Sequence, residues 1–106
     1  FTVVDCERCG GVLKPDVVYF GENVPAERVA AAYDLVDSAS ALLVLGSSLT
    51  VFSGRRFVLR AAKAGTPIAI VNDGPTRGDE HAVLKLETPI GATMTSLLRA
   101  LPDAAA

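Results

Sequence analysis

Two cysteines near the start of the chain are the side chains best suited to bind a metal or to react. Cys6 and Cys9 form one Cys-x-x-Cys motif, followed by two glycines that allow the tight turn such a motif needs. One motif supplies two of the four ligands of a structural zinc site. A vicinal redox pair and two unreactive thiols stay open as alternatives. The sequence has no second motif, so a complete zinc site would need ligands from missing chain or from a second copy.

Small polar residues end two short apolar runs in the middle of the chain. The run at 41–45 ends in Gly46-Ser47-Ser48, and the run at 67–71 ends in Asn72-Asp73-Gly74. In an open parallel sheet, ligands bind outside the carboxyl ends of the strands. We therefore expect a nucleotide site at these two turns.

The residues of the two turns suit different parts of a nucleotide. Gly46 permits close backbone approach, and Ser47 and Ser48 offer hydroxyls and amides for phosphate and ribose oxygens. Asn72 can both donate to and accept from ribose hydroxyls. The structural alternatives are an N-cap for the helix that follows the serines and a plain turn at 72–74.

The elements that must position these residues alternate between strand and helix patterns. The spacing of apolar residues predicts strands at 16–20, 41–45, 68–71 and 82–86, with helices at 25–38, at 54–64 and around Met94, Leu97, Leu98 and Leu101. This alternation indicates an α/β fold with a parallel sheet and flanking helices. Three or four strands are about half of a six-strand dinucleotide-binding fold.

Length and charge narrow the class of protein. The chain has 106 residues, which suits one domain, and its net charge is −2 with no basic block. We therefore expect no nucleic-acid partner, because phosphate binding needs a positive surface. We also expect no membrane span, since no apolar run approaches about 20 residues. The chain starts with Phe1 rather than Met, so we expect that it was cut from a longer protein.

Three other features have structural explanations. The sole histidine, His81, follows two acidic residues and is predicted to be a solvated surface residue rather than a catalytic base. Arg55 and Arg56 are predicted to lie on a solvated helix face. Thr76 and Asp79 have a spacing like that of a capping box, which predicts a local structural contact.

The combination of motifs resembles the sirtuins, the NAD-dependent protein deacylases. Three stretches carry the resemblance, in the same order and at similar spacing: Cys6-x-x-Cys9-Gly10-Gly11-x-Leu13-Lys14-Pro15-Asp16-Val17-Val18-x-Phe20-Gly21-Glu22, Gly46-Ser47-Ser48-Leu49-x-Val51 and Ile70-Val71-Asn72. Two further stretches resemble the class II branch of the family: Ser53-Gly54-x-Arg56-Phe57 and Gly74-Pro75-Thr76-Arg77-x-Asp79. The family's phosphate loop, catalytic histidine and first zinc knuckle do not occur in this chain. The resemblance therefore applies to the C-terminal half of the family's Rossmann-like domain.

The resemblance implies roles for particular residues. NAD would be bound by Gly46, Ser47, Ser48, Asn72, Asp73, Gly74 and Ile90. The acyl-lysine peptide would bind as an added strand, contacted by Val18, Tyr19, Phe20, Gly21, Glu22 and Val51. Zinc would be held by Cys6 and Cys9. The alternatives are that 17–20 is simply a buried strand and that Ile90 is a core residue.

The resemblance also implies an activity and an organisation. Residues 1–15 would be the second half of a zinc-knuckle module, and residues 16–106 the C-terminal half of the NAD-binding domain. The parent enzyme would transfer an acyl group from lysine to ADP-ribose and release nicotinamide, or act mainly as a protein ADP-ribosyltransferase. We expect no activity from the chain alone, because it has no catalytic residue.

A non-catalytic reading of the chain also stays open. It would be an assembly or nucleotide-binding module that dimerises through its open sheet edge. For the parent we expect a bacterial cytoplasmic location, or a mitochondrial one in a eukaryote.

Overall fold

The computed structural model describes residues 2–102, which form one three-stranded sheet with helices packed against it. The α-helices are α1 (Ala26–Ser38), α2 (Phe52–Ala64) and α3 (Ile90–Ala100), and the strands are β1 (Leu42–Leu45), β2 (Ile68–Val71) and β3 (Leu84–Leu86). A short 3₁₀ helix, Asp79–His81, precedes β3. Within 2–102, no helix has both the length and the apolar character needed to cross a membrane.

The sheet is parallel throughout, with the order β1-β2-β3. Leu42 pairs with Ile68 in the first ladder, and Val71 pairs with Leu86 in the second. Helix α2 makes the crossover between β1 and β2, which is the connection that parallel neighbours require. The predicted α/β class with a parallel sheet and flanking helices is therefore confirmed.

The core lies between one face of the sheet and helices α1 and α2. Its buried members are Val36, Leu49, Val58, Ala61, Ile68 and Ile70. Central strand β2 is the most deeply buried element, and Ile70 is 0% exposed. The rings of Tyr33 and Phe57 pack edge to face between the two helices, with centroids 5.3 Å apart. This packing fixes α2 over the strands that carry the two polar turns.

The opposite face of the sheet is largely open. Leu43 and Leu84 are each 51% exposed, and Leu45 and Leu86 share this face with them. Only β2 contributes a buried residue here, Val71. Contiguous apolar surface of this kind marks a place where another part of a protein packs.

Several element bounds differ from the predicted ones. Residues 16–20 form an irregular segment with a bend at residue 16 and a turn at residue 20 instead of a strand, because no neighbouring strand within 2–102 pairs with them. Helix α2 begins at Phe52, two residues before the predicted start, whereas it ends as predicted at Gly65, whose φ is +74°. Strand β3 begins at Leu84, two residues after the start of the strand predicted at 82–86. Residues 103–106, and residue 1, lie outside the described part of the chain.

Candidate functional site

Gly46 lies at the carboxyl end of β1 in a backbone conformation that favours glycine. Its φ is +61°, and a Cβ there would stand 2.0 Å from Cδ1 of Ile90. Its amide donates to the carbonyl of Val71 at 2.9 Å, so the end of β1 stays tied to the end of β2. The first turn of α3 therefore closes against the backbone of this turn, and Ile90 packs at the predicted nucleotide site.

The segment after Gly46 is held by its own side chains. The Oγ of Ser47 accepts from the amide of Leu49 at 3.2 Å, and the hydroxyls of Ser48 and Thr50 are 3.0 Å apart. Leu49 is buried with φ +55°, a conformation that costs a non-glycine residue about 1–2 kcal/mol. Helix α2 is capped by Val51 without a side-chain hydrogen bond, so the N-cap alternative for the serines is wrong.

The second turn, at the end of β2, uses its asparagine internally. Nδ2 of Asn72 donates to the carbonyl of Gly74 at 3.0 Å, and the Asn72 amide donates to Leu86 at 3.0 Å. Gly74 has a φ of +109°, which favours glycine. These local contacts fit the structural alternative of a plain turn, and they do not exclude a ligand. The side-chain oxygen of Asn72 makes no hydrogen bond within residues 2–102, and its contact with ribose stays a prediction.

An ion pair holds the loop that follows this turn. Nζ of Lys85 lies 2.9 Å from both carboxylate oxygens of Asp79 and donates to Gly74 O at 3.0 Å. The Asp79 carboxylate also accepts from the hydroxyl of Thr76 at 2.6 Å and from its amide at 2.9 Å. These Thr76 bonds, with help from Lys85, lower the pKa of Asp79 to about 2. The local contact predicted from the spacing of Thr76 and Asp79 is confirmed.

The two turns are joined to each other across the strand ends. The amide of Arg77 donates to the carbonyl of Ser48 at 2.8 Å. The side chain of Leu49 also reaches Gly78, where a Cβ would stand 2.6 Å from Leu49 Cδ1. The turns predicted to bind one cofactor therefore form a single connected unit.

A cleft of about 370 Å³ lies between residues 18–24 and the start of α2. All six residues predicted to bind the peptide line it, together with Asn23, Val24, Ser53 and Arg56. Phe20 is 92% exposed at this cleft. The structure therefore brings residues 18–22 and Val51 together, while their contact with a substrate stays a prediction.

Glu22 organises the loop on one side of the cleft. Its carboxylate accepts from Nζ of Lys14 at 2.8 Å and from the amide of Tyr19 at 3.0 Å. Lys14 first, and then the Tyr19 amide, lower the pKa of Glu22 below its usual value. The negatively charged carboxylate of Glu22 thus holds the backbone at Tyr19, one of the residues that line the cleft.

Arg56 lines the cleft, so its predicted position on a solvated helix face is wrong. Arg55 and Arg56 were predicted to be solvated, but both are half-buried, and the Nε atom of each is enclosed. One sequence signal could have placed Arg56 together with Ser53. The two residues are three apart, so a helix puts them on the same face. His81 lies away from this cleft and is partly buried, with Nε2 3.7 Å from Glu80.

The Cys-x-x-Cys segment forms a compact turn. The amide of Cys6 donates to Gly11 O and the amide of Gly10 donates to Cys6 O, both at 2.8 Å. Backbone amides of Arg8 and then Cys9 lower the pKa of the Cys6 thiol. A thiol that is more readily ionised next to a second thiol suits two positions of a zinc site. No group of three or more candidate metal ligands occurs among residues 2–102.

These features define part of an α/β fold with a parallel sheet and a cleft beside it. The Sir2 family model matches residues 2–53. The NAD-dependent protein deacetylase 1 of Mycobacterium avium (strain 104) is 64% identical over 87 residues, which are 82% of this chain and 31% of that protein. The NAD-dependent protein deacetylase 1 of Streptomyces coelicolor is 60% identical over 97 residues, which are 92% of this chain and 32% of that protein.

Solved structures agree with these relatives. A structure of Sir2 bound to an acetylated peptide is 33% identical, with a TM-score of 0.84, covering 92% of this chain and 41% of that one. A Sir2–p53 peptide–NAD+ structure is also 33% identical, with a TM-score of 0.82 and coverages of 92% and 40%. The chain belongs to the Sir2 family, the sirtuins, and forms a segment of the sirtuin fold. It spans about a third of the length of the curated relatives it matches.

Proposed function

We propose that the whole protein is an NAD-dependent protein lysine deacylase. It transfers an acyl group from a lysine side chain to ADP-ribose and releases nicotinamide. One observation carries the proposal: the segment that starts at Gly46 in the predicted NAD site ends at Val51 in the wall of the cleft. A single short loop thus borders both binding regions. The names of the relatives and the peptide and NAD complexes of the solved structures support this reading.

The chain's own residues would bind and orient the reactants. NAD supplies the ADP-ribosyl group that accepts the acyl group. The turn at 46–48 brings backbone and hydroxyls to its phosphate and ribose oxygens, and the Asn72 side-chain oxygen accepts from a ribose hydroxyl. Residues 18–22 and Val51 hold the peptide backbone as an added strand. These residues position the reactants, while proton transfer falls to groups outside this chain.

We further propose that Cys6 and Cys9 supply two of the four ligands of a structural zinc ion. The hydrogen-bonded turn 6–11 orients both thiols before a metal binds, which lowers the cost of ordering them. The remaining two ligands come from another part of the whole protein. We also propose that the chain belongs to the class II branch, on the motif around Arg56 and the Thr76–Asp79 contact.

The deacylase proposal is tested with the full-length protein, an acetyl-lysine peptide and NAD. We expect mass spectrometry to detect the deacetylated peptide and acetyl-ADP-ribose only when NAD is present. Deacetylation that proceeds equally without NAD would refute it. An ADP-ribosylated protein or peptide, in place of a deacetylated one, would favour the transferase alternative.

The open face of the sheet supports a second candidate role for the chain by itself. Exposed leucines on β1 and β3 and the unpaired edge of β1 offer a surface for a second copy. The isolated chain would then act as an assembly module without catalysis.

A further inference from the structure

Arg56 brings a positive charge to the substrate cleft. Its side chain is half-buried and lines the cleft with Ser53 and Val51. Its guanidinium carbon lies 5.7 Å from the ring centre of Phe52, a cation–π contact that limits the positions of the long side chain. The guanidinium therefore lies at the cleft in a restricted set of orientations.

The charge on Arg56 has no carboxylate partner within residues 2–102. Its Nε atom is enclosed and makes no hydrogen bond in that part of the chain. The acidic residue of the same cleft, Glu22, is already engaged by Lys14 and the Tyr19 amide. Two other arginines of the fold do have carboxylate partners, Arg28 with Asp16 and Arg60 with Asp37. Arg55 has the same enclosed Nε, so what sets Arg56 apart is that its partly buried charge lines the cleft, where an anionic acceptor would be favourable.

A carboxylate is the acceptor that this geometry suits best. A guanidinium presents a planar fork of donors that binds two carboxylate oxygens at once. Partial burial strengthens such a pair relative to one in open water. The cleft itself is the open side of Arg56, and it is also where the peptide would bind.

We propose that Arg56 is a specificity residue that binds a carboxylate of the substrate. This inference rests on the proposed deacylase function and adds a preference to it. The carboxylate comes either from an acidic side chain next to the acyl-lysine or from a dicarboxylic acyl group on the lysine itself. Both sources place the same chemical group against the same guanidinium.

The test measures peptide binding to the full-length protein by fluorescence anisotropy, so that it does not depend on turnover. Three labelled peptides are compared: acetyl-lysine flanked by Glu, acetyl-lysine flanked by Gln, and succinyl-lysine flanked by Gln. We expect one acidic peptide to bind about tenfold more tightly than the neutral one, the size of a charge-assisted pair. The acidic peptide that gains affinity identifies the source of the carboxylate.

Substitutions at Arg56 and at its neighbour Arg55 test whether Arg56 itself causes the preference for acidic peptides. Arg56→Gln should abolish the preference, and Arg56→Lys should keep only part of it, because lysine retains the charge but loses the fork. Arg55→Gln is the matched control, since Arg55 also has an enclosed Nε but does not line the cleft. It should keep the full preference.

Two results would overturn the proposal. One is equal binding of all three peptides to the unaltered protein, which means that Arg56 pairs with another part of the protein. The other is a preference that survives Arg56→Gln. Absence of turnover with measurable peptide binding would instead count against the deacylase function, so the two failures can be told apart.

Discussion

Cδ1 of Ile90 occupies the space in which a side chain at Gly46 would begin. The distance from that methyl carbon to a Cβ built on Gly46 is 2.0 Å, well below any contact that two carbon atoms tolerate. The start of α3 and the end of β1 are therefore fitted to each other at the predicted NAD site. A change at either residue should affect both stability and cofactor binding.

Gly46→Ala should lower the free energy of unfolding of the full-length protein by about 1–2 kcal/mol, because φ +61° is strained for alanine and the methyl end of Ile90 must move away from the new Cβ. It should also raise the KM for NAD. Urea denaturation and steady-state kinetics measure the two effects. Gly91→Ala is the control, since a Cβ there meets nothing within 4 Å. The double variant Gly46→Ala/Ile90→Ala should regain only the stability lost through the contact between the two side chains. Full recovery of stability would contradict a cost from the strained backbone of residue 46.

Asp79 should make stability depend on pH in acid. Its folded-state pKa is about 2 against an ordinary value of 3.8, so its contribution is complete above about pH 4 and is lost as the pH falls towards 2. Asp79→Asn should cost about 1–2 kcal/mol at pH 7, a value reduced for the partial exposure of the pair. Denaturation curves at several pH values should show the difference from the unaltered protein shrinking below pH 4. Glu80→Gln is the neighbouring control, and an equal loss in that variant would contradict the assignment.

Zinc should be present in the full-length protein and should depend on the two cysteines. Cys6→Ser and Cys9→Ser should each lose the metal, because three remaining ligands bind zinc far more weakly than four. Elemental analysis of the purified variants measures the content, and a strong chelator should lower the Tm of the unaltered protein. His81→Ala serves as the control and should retain zinc. Unchanged zinc content in both serine variants would show that the metal lies elsewhere.

The chain expressed alone should self-associate through the open face of its sheet. Leu43→Lys on β1 should shift the population towards monomer, because a charge at this face opposes burial against a second copy. Sedimentation velocity over a range of concentrations measures the change. Leu35→Lys is the control, since Leu35 is also exposed but lies on α1. A chain that sediments as a monomer at every concentration would contradict the prediction.

The parts of the fold set by local patterns were predictable from the sequence. The apolar run of β2 and the glycine that ends α2 at position 65 define their elements without help from distant residues. The segment 16–20 was not predictable, because a β-rich composition forms a strand only where a partner strand is available. Its residues nevertheless line the cleft, since the loop is held by Glu22 and Lys14.

The contacts that organise the site depend on tertiary structure. Lys85 is six residues from Asp79 along the chain, and no local pattern pairs them. The same is true of Arg77 and Ser48, whose backbones meet only because β1 and β2 are neighbours in the sheet. Arg56 has the polarity of a surface residue, and it lies at the cleft because residues 18–24, far away in sequence, form the opposite wall.

The most direct test of the deacylase function is the ratio of nicotinamide released to lysine deacylated by the full-length protein. Both products are quantified in one reaction with an acetyl-lysine peptide and NAD. We expect one nicotinamide for each acetyl group removed, with no deacetylation when NAD is left out, because acyl transfer to ADP-ribose consumes one NAD for each lysine. Deacetylation without matching nicotinamide release would contradict the account.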